Sequence, residues 1–129
     1  ALKRNLEEIN PFINVQAIIK KLDKDNIAEV FAEEDIIIEA FDNPEYKAEI
    51  STKVLNTMRD KILIASSGMA GYYPSNEIRT RQINERFYIC GDGESASKEG
   101  FGLMAPRVAI CDNHMANCAL RLIRGEEGK

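Results

Sequence analysis

The sequence predicts an α/β fold: an incomplete Rossmann-like parallel sheet flanked by helices, with a β-hairpin and a long carboxyl-terminal helix. Three observations carry this reading. The runs Ile36-Ile37-Ile38 and Ile62-Leu63-Ile64 are short, rich in β-branched residues and do not alternate with polar ones, as expected of parallel strands covered on both faces. Between them Tyr46, Ile50, Val54 and Met58 recur at i+4 steps, the buried stripe of an amphipathic helix. Strands separated by helices in this way build a sheet by right-handed crossovers.

The elements follow in order. Leu2, Leu6 and Ile9 fall at helical spacing, and Asn10-Pro11 ends that helix because proline disfavours helical geometry in the residue before it. Phe12, Ile13, Val15, Ala17, Ile18 and Ile19 read as a strand. After a polar connection, Asp25 is expected to cap a short helix running through Phe31. The strand from Asp35 stops at Asp42-Asn43, and Pro44 suits the first helical position, with Asn43 as the cap. Lys61 to Ala65 is a second buried strand, ending in Ser66-Ser67-Gly68. Glu77 to Ile83 alternates, Asn84-Glu85 turns, and Arg86 to Cys90 returns as a hairpin. Gly91 to Gly102 is rich in glycine and serine, the composition of a mobile loop. Leu103 to Arg124 is a helix with Val108, Cys111, Met115, Cys118 and Leu122 on or near one face. Gly125 stops it, and residues 126–129 read as a disordered tail.

A chain of 129 residues suits one domain, since domains run to roughly 100–200 residues. The net charge of −4 and the absence of a basic cluster argue against a nucleic-acid partner. No apolar run approaches the roughly 20 residues that span a bilayer, and no signal-peptide pattern opens the chain, so no membrane role and a cytoplasmic location are expected. Cys90, Cys111 and Cys118 are odd in number and form no CxxC pair. Neither disulfide nor zinc site is expected.

Ligands of open parallel sheets bind outside the carboxyl ends of the strands. Asp42-Asn43 and Ser66-Ser67-Gly68 lie at such ends. Asp42 has the hard carboxylate that magnesium takes together with substrate phosphates; equally, Asp42 and Asn43 serve to cap the helix at Pro44. Gly91-Asp92-Gly93 follows a hairpin and opens no helix, which rejects a dinucleotide fingerprint. His114, the single histidine, lies mid-helix beside Asn113 and Asn117, where no base-and-nucleophile constellation can be assembled, and reads as a packing or surface residue.

The segment from Asn5 to Pro11, Asp35 to Asn43 and on to Lys47, and Ser67-Gly68 resembles the ThiF/MoeB/HesA superfamily of adenylyltransferases, whose fold ubiquitin-activating enzymes share. The likeness is nearest to a ThiF-like subfamily of thiamine biosynthesis. There Ala40-Phe41-Asp42-Asn43, Ala65 to Gly71, Cys90-Gly91-Asp92-Gly93 and Gly102 to Ala109 have counterparts in the same order. The resemblance implies ATP-dependent adenylation of the terminal glycine of a ubiquitin-like, ThiS-like sulfur carrier. It implies that Asp42 holds Mg-ATP, that Asn43 and Lys47 belong to the nucleotide site, that Leu22 lies against adenine, and that Ser67 and Gly68 meet the carrier tail. Lys47 stands where an arginine is usual. The family's glycine-rich first turn, and the arginine and lysine that contact ATP, would precede Ala1. The chain thus reads as the carboxyl-terminal part (1–125) of such a domain, inactive by itself, with an open strand edge that a homodimer would cover. Two rival readings are a non-catalytic carrier-binding or assembly module and a Rossmann-type dinucleotide-binding fragment.

Overall fold

A computed structural model describes residues 1–129. Four strands, β1 (Ile36–Ile38), β2 (Ile62–Ser66), β3 (Arg79–Asn84) and β4 (Phe87–Gly91), form one sheet in the order β1-β2-β4-β3. β1, β2 and β4 run parallel; β3 returns antiparallel on β4, the hairpin that the alternation from Glu77 predicts. Four helices accompany them: α1 (Leu2–Ile9), α2 (Ile27–Val30), α3 (Pro44–Thr57) and α4 (Ala105–Ile123).

β2 organises the core because it is hydrogen-bonded on both sides and its side chains alternate between two helical layers. Leu63 points to the α2–α3 face, where it joins Ile27, Ile37, Ile50, Val54 and Met58. Ile64 points to the α4 face, where it joins Ile78, Tyr88, Cys90, Cys111, Met115 and Cys118. The lack of polar alternation in β2 is therefore real two-sided burial. In α3 the stripe begins one turn later than expected: Ile50, Val54 and Met58 are buried, but Tyr46 is exposed, with the Lys21 ammonium 5.7 Å from its ring centre. Met58 is the carboxyl cap of α3 and still packs inward.

Three expectations are corrected. Residues 12–19 form no strand; Phe12 and Ile19 are fully solvent-exposed and the segment makes no ladder. An apolar run becomes a strand only where a neighbour satisfies its backbone, and β1, the sheet edge nearest in sequence, is left unpaired on its outer side with Ile38 exposed. Asp25 does not cap α2. Asp23 Oδ1 accepts from the amides of Asp25 and Asn26 at 2.9 and 3.0 Å, and Asn26 takes the cap position. In the hairpin, a register shift between Gln82 and Asn84 moves the turn to Glu85-Arg86.

α4 ends as its sequence requires. Gly125 takes φ +77°, Glu126 N–H reaches the Arg121 carbonyl and Gly125 N–H the Leu122 carbonyl, the paired bonds that close a helix through a left-handed residue. Beyond it, Arg121 Nε donates to the Glu127 carbonyl at 2.7 Å, and Gly128 is buried against Tyr88 and Cys118. No helix is long and apolar enough to cross a membrane.

Leu63 is fully buried, whereas Ile83 lies half-exposed on the edge strand. Leu63→Ala is expected to cost about 3 kcal/mol in urea denaturation, and Ile83→Ala less than about 0.5 kcal/mol.

Candidate functional site at the carboxyl ends of the strands

Parallel pairing brings the ends of β1, β2 and β4 to one edge of the sheet. Antiparallel pairing of Arg79 with Gly91 adds the start of β3 to it. Five of the six residues singled out by the sequence lie along this edge, and Leu22 lies beside it.

At the end of β1, Glu39 hydrogen-bonds through its N–H to the Ile64 carbonyl at 2.9 Å, which holds its side chain under the turn. That side chain is fully buried, and its Oε1 accepts from the Phe41 amide at 2.6 Å. Asp42 follows, exposed, with no cation within 4.0 Å and no side-chain hydrogen bond. Asn43 caps α3: its Oδ1 accepts from the Glu45 and Tyr46 amides at 2.9 and 3.1 Å. The capping role thus belongs to Asn43 alone and leaves the Asp42 carboxylate unspent. Lys47 turns inward, its Nζ 2.7 Å from Glu39 Oε2 and 3.0 Å from both Glu39 Oε1 and Ser66 Oγ. It ties β1, α3 and β2 together and is not directed at solvent.

Leu22 lines an apolar recess of about 230 Å³ with Phe31, Ile37, Ile38, Ala40 and Phe41. Ligand pockets for drug-sized molecules run to roughly 300–1,000 Å³, so the recess is smaller than these. It opens beside the backbone that leads into Asp42. A magnesium ion needs few protein donors, since it keeps waters and takes substrate phosphates alongside one or two carboxylates. The free Asp42 carboxylate fits that demand. Nowhere do three His, Cys, Asp or Glu side chains converge into a metal cluster.

Ser67 and Gly68 are placed by β4. Ser67 N–H donates to the Cys90 carbonyl, Asp92 N–H to the Gly68 carbonyl and Gly93 N–H to the Ser67 carbonyl, each at 2.9 Å. Gly68 has φ +79°, and a Cβ there would overlap Asp92 Oδ1. Asp92 accepts from the Glu94 and Ser95 amides at 2.8 Å, from Ser95 Oγ at 2.6 Å, and from Arg107. Arg107, in the first turn of α4, is buried. Its second arm donates to the Tyr73 and Pro74 carbonyls at 2.7 and 3.0 Å, while its Nε is left without a partner. One guanidinium thereby fixes the loops after β2 and β4 against α4. On the far side of Asp92, Glu77, Arg79, Arg81 and Glu94 surround a charged recess of about 260 Å³.

Burial raises the Asp92 pKa, but the bonds from Ser95, Glu94 and Arg107 together outweigh it and hold the group at about 2. Burial pushes Cys111 and Cys118 up to about 11 and raises Cys90. All three stay protonated thiols at neutral pH, a poor state for nucleophilic attack. His114 Nδ1 lies 3.0 Å from Thr80 Oγ1, which is in turn 3.5 Å from Cys90 Sγ.

Sequence reading missed Glu39, Asp92 and Arg107. Signals for two of them were present. Glu39 shares the parity of Ile37, so it faces the same core. Arg107 precedes Cys111, Met115 and Cys118 on the buried stripe of α4, a place for arginine only if a partner awaits it. The third, Asp92, depended on where Arg107 lands.

An open α/β sheet with a free carboxylate, an apolar recess and a glycine turn on its carboxyl edge defines a Rossmann-like protein, a fold class whose ligands bind at that edge. The profile of the ThiF family matches residues 1–129, and the chain belongs to that family. A molybdopterin-synthase adenylyltransferase of Haemophilus influenzae is 40% identical over 45 residues, which are 35% of this chain and 18% of that protein. An E. coli tRNA N6-threonylcarbamoyladenosine dehydratase shares the fold. Its structure in complex with ATP superposes with a TM-score of 0.67 at 16% identity, over 88% of this chain and 60% of that one. Its structure with AMP gives 0.68 at 16% identity, over 93% and 64%. The chain thus spans less than two thirds of the length of these relatives.

The Asp92 pKa is depressed from 3.8 to about 2, so its contribution to stability is complete above about pH 5 and is lost as pH falls toward 2. The wild-type chain is expected to lose about 2 kcal/mol through this group over that range, and Asp92→Asn to lack that part of the slope in urea denaturation measured from pH 6 to 2.5.

Proposed function

We propose that this chain carries part of the nucleotide site of an adenylyltransferase that activates the terminal carboxylate of a ubiquitin-like sulfur carrier, in thiamine or a related sulfur-cofactor pathway. One observation carries the reading: an unpaired carboxylate, Asp42, stands in the turn that joins β1 to α3, between an apolar recess and a helix amino terminus. Family membership and the nucleotide-bound fold neighbours support it.

In this reading adenine enters the recess beside Leu22, and the phosphates lie over the turn at Asp42 and Asn43. Asp42 would hold a magnesium ion, which would supply charge neutralisation at those phosphates. The carrier carboxylate attacks the α-phosphorus, a new P–O bond forms, the α–β bridging P–O bond breaks and pyrophosphate leaves with the electron pair. Such transfer depends on alignment and on neutralising charge. Ser67 and Gly68, pinned by the Asp92 and Gly93 amides, offer a rigid turn against which an extended glycine tail can lie. Lys47 supports the site from below. A second copy covering the exposed edge at Ile38 completes the proposal.

Nuclear magnetic resonance titration with Mg-ATP is expected to shift the amides of Leu22, Ala40, Asp42 and Asn43. Asp42→Ala is expected to weaken this binding at least about tenfold, the value of one charged contact. A Gly-Gly-terminated peptide should then perturb Ser67 and Gly68. Shifts confined to the charged recess at Arg79 and Arg81, or full affinity in Asp42→Ala, would refute the proposal.

A further inference from the structure

We infer that Glu39 is a positioning residue: by engaging Lys47 in a buried pair, it keeps the Asp42 carboxylate free to take a divalent cation. This rests on the reading of Asp42 given above and adds a device that keeps that group available.

The need for such a device follows from helix geometry. Lys47 is the fourth residue of α3, and its N–H donates to the Asn43 carbonyl at 3.0 Å. Helical side chains slope toward the amino terminus, so the ammonium heads for the turn that carries Asp42. An unengaged lysine there would pair with that carboxylate and compete with a metal ion for it. An ammonium has three N–H donors, and this one has three acceptors within reach: Glu39 Oε2 at 2.7 Å, Glu39 Oε1 at 3.0 Å and Ser66 Oγ at 3.0 Å. None is left for Asp42 or for a phosphate. The same Glu39 Oε1 accepts from the Phe41 amide at 2.6 Å and sets the backbone immediately before Asp42. Glu39 and Lys47 cancel each other's charge, and the net charge presented by the turn is that of Asp42.

The test uses the full chain and Mn2+ with ATP as the probe, read by paramagnetic broadening of the Asp42 and Asn43 amide signals. Glu39→Gln keeps the shape and an oxygen for the Phe41 amide but weakens its hold on Lys47. It should lower Mn2+ affinity at Asp42 about tenfold, the low end of what a nearby cation does to a carboxylate's proton affinity. Adding Lys47→Met removes the competitor and should return the affinity to within about threefold of wild type. A purely structural role predicts a double variant at least as weak as the single one. The Lys47 ammonium signal in 1H–15N spectra is expected to be visible in wild type, where all three donors are engaged, and to vanish in Glu39→Gln. Should that variant fail to fold, Glu39→Asp, whose shorter carboxylate loosens its hold on Lys47, takes its place: lowered Mn2+ affinity that Lys47→Met restores supports the inference, and unchanged affinity overturns it. Broadening at Asp42 that Glu39→Gln leaves unchanged defeats the inference alone. No broadening at Asp42 in wild type defeats the functional reading and the inference with it.

Discussion

Everything in the molecule hangs on β2. It is the one strand flanked by parallel neighbours on both sides, and its consecutive residues Leu63 and Ile64 each anchor a different helical layer. Two-sided burial of this kind specifies register strongly, because a slip of one residue would exchange the faces. Register in turn aligns the strand ends. Ile38 stands opposite Ile64 and Ser66 opposite Cys90, so that the residues just beyond them, Glu39 to Asp42, Ser67-Gly68 and Asp92, meet at one edge.

Two ion pairs convert that alignment into fixed loops. Glu39–Lys47 joins β1 to α3 and, through Ser66, to β2; Asp92–Arg107 joins β4 to α4 and to the segment after β2. Breaking a buried pair by removing one partner typically costs about 3–5 kcal/mol, although an apolar pair of similar volume is often as stable. Their value here is geometric. Each holds a carboxylate at a defined point of the edge and spends its cation internally, and Asp42, between β1 and α3, is left unpaired. The charged recess at Arg79 and Arg81 lies on the same edge beyond Asp92, separate from the apolar recess at Leu22.

The thiols belong to the packing of the α4 layer. Cys111 Sγ donates to the Cys90 carbonyl at 3.4 Å, and Cys118 sits beneath Tyr88 and the returning tail at Gly128. Their burial keeps them protonated, which fits a role as small apolar residues. His114 reaches Thr80 only because α4 crosses β3, a contact between residues 34 positions apart that no local pattern announces.

The amino-acid sequence determined the elements whose cause is local or periodic: β1 and β2 from their isoleucine runs, α3 from Asn43, Pro44 and the i+4 stripe, the hairpin from alternation, and the end of α4 from Gly125. It also marked Asp42, Asn43, Ser67 and Gly68, since strand ends are where polar residues interrupt apolar runs. Tertiary structure alone decided the rest. Whether residues 12–19 pair depended on a neighbouring strand edge, and Phe12 and Ile19 stay in solvent without one. Which acid Lys47 would meet was a choice between Asp42, the nearer in sequence, and Glu39, eight residues away, and was settled by the direction in which β1 buries Glu39. That Arg107 finds Asp92 required α4 to lie across β4. Backbone pattern is written in neighbouring residues, but the pairing of charges is a property of distance in space, and it exists only once the sheet has set its register.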